Sequence, residues 1–293
     1  VEPPAQLIEL LERRRKARAA RDFAAADALR AEIETAGWRV VDAAGESHLE
    51  SPAEEAEVHP TVAAVSNRAD QPDGCERTLC LAVHGWPEDA RRLLAACGGA
   101  GTEVVAVDVG AAGLVPADLL PQSWPGVGVR VIRVEEPIGQ ADAWNICARQ
   151  AAGRVLFFVE PSLEFDAGVL KQLAEVLEDE AVGLAGPFGM STTDMRQFES
   201  DDAETVDALE YLLAICRADL GRVGEFDPHF RFYRNLDIDF SYQVRAAGLG
   251  VRRVDCGPIT RHVHRLWEAT PEPERERLSR RNFNRFLDHW GRS

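Results

Sequence analysis

A carboxylate that directly follows an apolar run is the first feature of this chain able to do chemistry. Val155-Leu156-Phe157-Phe158-Val159 ends on Glu160, with Pro161 and Ser162 next. The run is short and rich in β-branched and aromatic residues, so it reads as a buried parallel strand. Open α/β sheets hold ligands at the carboxyl ends of such strands. Glu160 is therefore a candidate ligand-binding group, with a solvated loop residue as the alternative. Glu103 to Val107 ends in the same way on Asp108, and Thr78 to Val83 opens into His84-Gly85-Trp86-Pro87-Glu88. Asp237 and Asp239 open a predicted helix, where a carboxylate either takes a proton or caps the helix and complements its dipole. The six cysteines (Cys75, Cys80, Cys97, Cys147, Cys216, Cys256) form no C-x-x-C pair. They are expected to fill the core in a reducing cytoplasm rather than bind zinc or form disulfides.

Periodicity supplies the elements that must position these groups. After the turn glycine Gly139, the residues Ala143, Trp144, Ile146, Cys147 and Ala151 recur at helical spacing until Gly153 stops the helix. Strands are predicted at 78–83, 103–107, 129–134, 155–159, 182–187 and 251–254, with 215–218 extended. Helices are predicted at 89–96 (stopped by Gly98-Gly99), 170–177, 202–211, 239–247 and 273–290, and a turn at 222–227. Strands alternating with helices through short loops predict an α/β fold with a mostly parallel, doubly wound sheet. Two amphipathic helices precede it. One runs from Gln6 to about Ala20; the other is capped by Asp22 and keeps Phe23, Ala26, Leu29 and Ile33 in phase up to Gly37. Trp38 to Leu49, around Gly45, suits a short β-hairpin. The predicted plan is thus a helical hairpin plus β-hairpin over 1–49, a linker over 50–75, and the large domain over 76–293. The linker reading rests on acidic residues, Pro and Gly without sustained periodicity.

Composition narrows the function classes. With 45 % hydrophobic and 28 % charged residues, the 293-residue chain has the balance of a globular protein. The net charge of −16 disfavours wholesale binding to phosphate backbones. A sugar nucleotide needs only local neutralisation and stays compatible with it. No apolar run reaches the ~20 residues of a membrane span, and no signal-peptide pattern opens the chain, so a cytoplasmic location is expected.

Four stations in order give residues 76–265 a resemblance to family 2 glycosyltransferases, which have the GT-A nucleotide-sugar-binding fold. They are the Trp86-Pro87-Glu88 loop after the first strand, the second strand ending on Asp108, and Gly139, Ala143, Asn145, Ala151, Gly153 and Leu156 in a "G…A.N…..A.G..L" segment. The fourth is a "G.FD..F..Y…D.D.S…R.AG..V" segment carried by Gly224, Phe226-Asp227, Phe230, Tyr233, Asp237, Asp239, Ser241, Arg245, Ala247-Gly248 and Val251, followed by His262 and His264. The resemblance implies an inverting transfer from a nucleoside diphosphate sugar to an acceptor that the sequence does not specify. It implies Asp237 as catalytic base with Asp239 as runner-up, and Asp108, His84, Asn145 and Glu160 at the nucleotide sugar. For Mg²⁺ or Mn²⁺ it implies Glu160, Ser162 and His262 or His264.

The chain departs from that pattern in two places: Glu160-Pro161-Ser162 stands where the family has D-x-D, and Leu236 stands where an acidic residue precedes the base. A catalytically degenerate GT-A scaffold used for binding or assembly is therefore the alternative reading. The first fifty residues resemble the late helical region of cysteinyl-tRNA synthetases through Ala17-Arg18, Arg21-Asp22-Phe23-Ala24, Ala26-Asp27-Ala28-Leu29-Arg30, Gly37, Val41-Asp42 and Gly45. That resemblance implies a docking module, with tRNA contact through Arg13 to Arg21 as the weaker option.

Overall fold

The computed structural model describes residues 3, 5–35, 38–43, 46–50, 55–97, 102–110, 113–119 and 128–291. The expected stops at Gly37 and Gly98-Gly99 and the Gly45 turn lie outside them. The amino-terminal unit consists of α1 (Ala5–Ala19), α2 (Phe23–Thr35) and an antiparallel hairpin of β1 (Arg39–Ala43) and β2 (Glu46–Glu50). The Asp22 carboxylate accepts from the Ala25 amide at 3.1 Å, the cap that starts α2. Leu7, Leu11, Ile33, Trp38 and Val40 form a core of their own. The arginine run, offered above for a tRNA contact, is partly turned inward. Buried Arg14 grips both oxygens of Asp42 at 2.9 Å, Arg18 also pairs with Asp42, and Arg15 pairs with Glu12 and the Ser47 carbonyl.

The remainder builds one large α/β unit. In chain order it comprises β3 (Glu57–His59), β4 (Cys75–Val83), α3 (Pro87–Cys97), β5 (Thr102–Asp108), α4 (Pro116–Leu119), β6 (Gly128–Val134), α5 (Gln140–Gln150) and β7 (Gly153–Val159). Then come β8 (Leu163–Glu164), α6 (Ala167–Val176), β9 (Val182–Gly186), β10 (Phe188–Ser191), β11 (Glu199–Ser200), β12 (Ala208–Glu210) and β13 (Leu212–Cys216). The chain closes with α7 (Leu220–Val223), α8 (Leu236–Ala246), β14 (Gly250–Arg253), β15 (Thr260–Arg261), α9 (Arg265–Ala269) and α10 (Glu272–Trp290). Eight strands form the main sheet in the order β14-β9-β13-β7-β4-β5-β6-β3, parallel except for β13.

The sheet is apolar on both faces because the central strands bury both alternating sets. Cys80, Ala82, Val105, Val107, Leu156 and Phe158 pack beneath α5 and α8 with Trp144, Phe226 and Phe240. Leu79, Leu81, Val104, Ala106, Phe157 and Val159 face α3 and α6 through Leu93, Leu94, Leu170 and Leu173. Truncating a core phenylalanine such as Phe158 to alanine costs about 3–5 kcal/mol.

Three expectations are corrected here. The helix predicted over 202–211 is a turn followed by β12, because Ala208 and Met190 pair across to β10 and the Leu209 amide bonds to the Ser241 hydroxyl at 3.1 Å. The predicted linker also carries structure: β3 adds an edge strand to the main sheet, and Arg130 of β6 holds Glu57 at 2.8 Å. The helix expected from Asp239 begins at Leu236, a turn earlier, which moves Asp237 inside its first turn. The described cysteines are all free, and Cys80, Cys97, Cys147 and Cys256 are buried. No described helix is long and apolar enough to cross a membrane.

Candidate active site

The carboxyl ends of β4, β5 and β7 lie side by side, since Val83 pairs with Asp108 and Leu81 with Val159. His84, Asp108 and Glu160 therefore share one edge of the sheet. After β5 the chain folds back on β4: the Val109 amide bonds to the Val83 carbonyl at 2.9 Å. There Gly110 has no room for a side chain, because a Cβ would lie 2.8 Å from the Gly85 nitrogen. Asp108 is buried, and its Oδ2 accepts from the amides of Gly113 and Leu114, both at 3.1 Å. These two bonds tie Gly113 and Leu114 to the end of β5. His84 Nε2 meets Gln140 Oε1 at 2.7 Å, and burial lowers the His84 pKa against the opposing effects of that bond and of the Glu160 charge.

Glu160 is the pivot of the site. It lines two small pockets of about 20 Å³ each, the first with His84, Trp86, Asp89, Ser162, His264 and Arg265, the second with Trp144, Tyr211, Tyr233, Arg234 and Asp237. Its amide donates to the Tyr211 carbonyl at 2.8 Å, and the Tyr211 amide donates to Asp237 Oδ2 at 3.3 Å. One residue thus couples the end of β7 to the start of α8. Tyr211 and Asn235, which caps α8, both hold positive φ, 64° and 65°. Non-glycine residues in that region cluster at functional sites.

Asp237 and Asp239 are separated by the geometry of the helix. Asp237 faces the second of these pockets and accepts the Ile238 amide at 3.0 Å. Desolvation and the neighbouring Glu210 charge raise its pKa to about 7. Asp239 turns the other way: its Oδ1 accepts from His289 Nδ1 and Trp290 Nε1 of α10, both at 2.9 Å. These bonds latch the start of α8 to the end of α10. Asn145 is engaged in the same way. Its amide donates to the Phe226 carbonyl at 2.8 Å and accepts from the Phe226 amide at 2.9 Å, so both its polar atoms are spent on a buried backbone clamp.

The two histidines also divide. His262 is exposed and bonds to Glu164 at 2.7 Å, and Asp166 caps α6 through the Gly168 amide. Neither Glu164 nor Asp166 turns to Glu160. His264 does: its Nε2 is 3.4 Å from Glu160 Oε2, and its ring stacks on Tyr233 at 3.9 Å. Its Nδ1 accepts the Trp267 amide at 3.3 Å, so the neutral ring carries its proton on Nε2. An Nε2–H is a hydrogen-bond donor and not a metal ligand. Ser162 lines the pocket with a neutral hydroxyl only. Among the described residues no three His, Cys, Asp or Glu side chains are grouped to hold a metal. This set does not fit a resident divalent cation, which takes several oxygen donors with carboxylates prominent among them.

Pattern reading missed the polar groups that have no partner. Trp144 is buried with its indole Nε1 unbonded, and the Nε of Arg234 is likewise buried and unbonded. Both residues belong to the wall of the Asp237 pocket. A buried donor left unsatisfied costs about 1–3 kcal/mol. The helix α5 that carries Trp144 is pinned by Gly139, whose Cβ would lie 2.4 Å from the Arg231 Cα, and by the Gln140 amide on the Arg231 carbonyl at 3.1 Å.

No sequence-family profile matches the chain, and no curated protein does. Solved structures do resemble it. GalNAc-T7 with UDP, GalNAc and Mn²⁺ superposes with a TM-score of 0.56 at 17 % identity, over 74 % of this chain and 49 % of that one. Staphylococcus aureus TarS 1–349 with UDP-GlcNAc superposes at 0.54 and 14 % identity, over 72 % and 66 %. The chain thus spans about half of the first and about two thirds of the second. At such identities the likeness speaks for the architecture, and the architecture is the GT-A glycosyltransferase fold.

Proposed function

We propose that this chain is an inverting glycosyltransferase of the family 2 type, moving a sugar from a nucleoside diphosphate sugar to a hydroxyl acceptor. The observation that carries the reading is Asp237, a carboxylate with a pKa near neutrality that shares one cleft with Glu160 through the Tyr211 backbone. A base poised near the working pH is what attack by a neutral hydroxyl needs. The acceptor oxygen bonds to the anomeric carbon, the bond to the diphosphate oxygen breaks, and the acceptor proton passes to Asp237. His84 and the Asp108 loop flank the nucleoside end, and Glu160 receives a hydroxyl of the donor. Charge gathering on the departing diphosphate is met by the His264 Nε2–H and the Arg265 guanidinium, which line the same pocket. Calorimetric titration with UDP-, GDP- and TDP-sugars, each with Mn²⁺ and with EDTA, tests this. UDP-sugars head the panel because both similar structures hold UDP or a UDP-sugar. Binding of one donor in EDTA supports the reading, and binding of none removes it.

A second reading is favoured by Ser162, which stands where a second carboxylate would complete the family's metal motif. In it the chain is a scaffold that binds nucleotide sugar without turnover, with the synthetase-like hairpin as its docking module. Transfer and hydrolysis rates unchanged in Asp237→Asn would support it. A tRNA contact through the hairpin has less to draw on, since Arg14, Arg15 and Arg18 are engaged within the unit. Gel shifts with total tRNA at low salt would reveal one, as electrostatic binding is strongest there.

A further inference from the structure

Glu210 ends β12 between two ties to the first turn of α8. On one side of it the Leu209 amide donates to the Ser241 hydroxyl at 3.1 Å, and that hydroxyl donates to the Asp237 carbonyl at 2.8 Å. On the other side the Tyr211 amide donates to Asp237 Oδ2 at 3.3 Å. Glu210 is thereby held against the turn that carries Asp237, and both side chains belong to the wall of one pocket of about 20 Å³. A space of that size has room for about one water, so little solvent screens one carboxylate from the other. Among the described residues the half-buried Glu210 carboxylate accepts no hydrogen bond. The helix itself places no second charge beside Asp237, because Leu236 is buried in the core and Asp239 turns to α10.

We propose that Glu210 is a positioning residue for the transfer: its negative charge, brought in from β12, keeps the Asp237 carboxyl a strong proton acceptor. The inference rests on the transferase reading and gives a second residue of the cleft a part in it. Two carboxylates in one small space resist ionising together, so one of them holds a proton that the charge of the other stabilises. Burial raises the pKa of both, and the neighbouring charges decide which takes the proton. Arg234 and Arg261 of β15 both favour the ionised form of Glu210. Asp237 has Arg234 alone, and burial and the Glu210 charge outweigh it. The other groups on the shared wall add no cation: Glu160 at the end of β7, the Tyr211 and Tyr233 phenols, and the neutral Gln140 and Trp144 of α5. On its far side Glu210 meets Asp201, Asp202 and Asp255, and the Arg253 there is paired with Asp202. The proton therefore settles on Asp237, where an attacking hydroxyl needs it.

A double-mutant cycle of the full chain, Glu210→Gln, Asp237→Asn and both together, tests the inference without substrate. Denaturant titrations between about pH 4 and pH 9 give the stability gain from Asp237→Asn in each background. The pH at which that gain levels off is expected to lie about one unit lower in the Glu210→Gln background. Glu210→Ala carries the same expectation and stands in if the glutamine variant does not fold. The second readout is the release of nucleoside diphosphate from the donor that calorimetry identifies, followed against pH. Glu210→Gln should be about threefold faster than the native chain near pH 5.5 and about threefold slower at pH 8, since a weaker base ionises at lower pH. Glu210→Asp, which keeps the charge, should keep the native profile. A level-off that does not move, or a rate loss equal at every pH, would overturn the inference. A level-off that moves in a chain binding no nucleotide sugar keeps the carboxylate pair and sinks the transferase reading; binding and turnover with an unmoved level-off sink the pair alone.

Discussion

Asp237 and Asp239 stand two residues apart on the first turn of α8, yet the cleft wall and the seam against α10 treat them in opposite ways. Along the seam the carboxylates and Asn282 have found partners, although the buried Ser279 hydroxyl of α10 has none. Asp239 is saturated by His289 and Trp290, Asp227 pairs with Arg285 and His229, and Asn282 donates to the carbonyls of Phe232 and Arg234 at 2.7 and 2.8 Å. Along the cleft wall Asp237 meets a like charge, and Trp144 and Arg234 keep unbonded donors. Satisfied polar networks hold a fold, whereas buried polar groups without partners mark where something else must bind.

The comparison breaks most readily at the two aspartates. Asp237→Asn is expected to lower the transfer rate by about 10²–10⁴-fold while thermal unfolding stays close to that of the native chain at acidic pH. Asp239→Ala is expected to do the reverse: about 2–4 kcal/mol of stability lost in denaturant titration, as the His289 and Trp290 donors are stranded, with the rate per folded molecule within a few-fold. Equal rate losses in the two variants would erase the distinction.

The same opposition explains what could be read beforehand. The main strands and five helices were legible because a sheet buried on both faces writes continuous apolar runs such as Val155–Val159, bounded by turn residues. The motif residues were legible as a set, but their roles were not. Asn145, Phe226, Asp227, Asp239 and Ser241 recur in the pattern as architecture: the clamp, the stack of Phe226 on Phe240 at 3.9 Å, the α10 latch and the Ser241 tie to β12. Which face of a helix a carboxylate takes depends on where the helix starts, and the three residues Leu236 to Ile238 decide it. β12 was misread because its pairing with β10 comes from tertiary packing. Trp144 gave no signal at all, since an unbonded indole N–H is visible only once its surroundings are known.

The histidines sharpen the contrast at intermediate size. His264→Ala is expected to weaken nucleotide-sugar binding about tenfold by calorimetry, and His262→Ala to leave it unchanged, because His262 faces Glu164. Since the His264 proton sits on Nε2, the His264→Gln variant, which keeps a donor, should recover part of the loss, and EDTA should change neither constant. Trp144 and Asn145 give a smaller effect on binding. Trp144→Phe keeps the ring packing against Phe158 and Phe226 and removes only the N–H. Donor affinity should fall about three- to tenfold with stability nearly intact. Asn145→Ala should cost about 2–4 kcal/mol of stability with the affinity of the folded fraction preserved.

The smallest effect is also the most direct test of the cleft's electrostatics. The folded-state pKa of Asp237, about 7, lies above the value of 3.8 for an unperturbed group, chiefly through desolvation and then through Glu210. The folded protein therefore binds more protons than the unfolded chain between those two values. By linkage this group favours folding below pH 4, and that contribution declines as pH rises through 7. Replacing it with asparagine removes the titration, so Asp237→Asn should match the native chain near pH 4 to 5 and exceed it at pH 8. With partial solvent screening the gain is on the order of 1 kcal/mol. Burial also raises the Asp239 pKa, against the opposing bonds from His289 and Trp290, so Asp239→Asn should shift stability with pH in the same sense, set against the loss of those two bonds. Transfer rates should move in the opposite sense to stability, rising about tenfold per pH unit below 7 and levelling above it. A stability gain that grows from about pH 4 and levels off at the pH where the rate plateau begins would identify one carboxylate behind both. A plateau displaced by two units, with the stability crossover unmoved, would assign the proton transfer to another group.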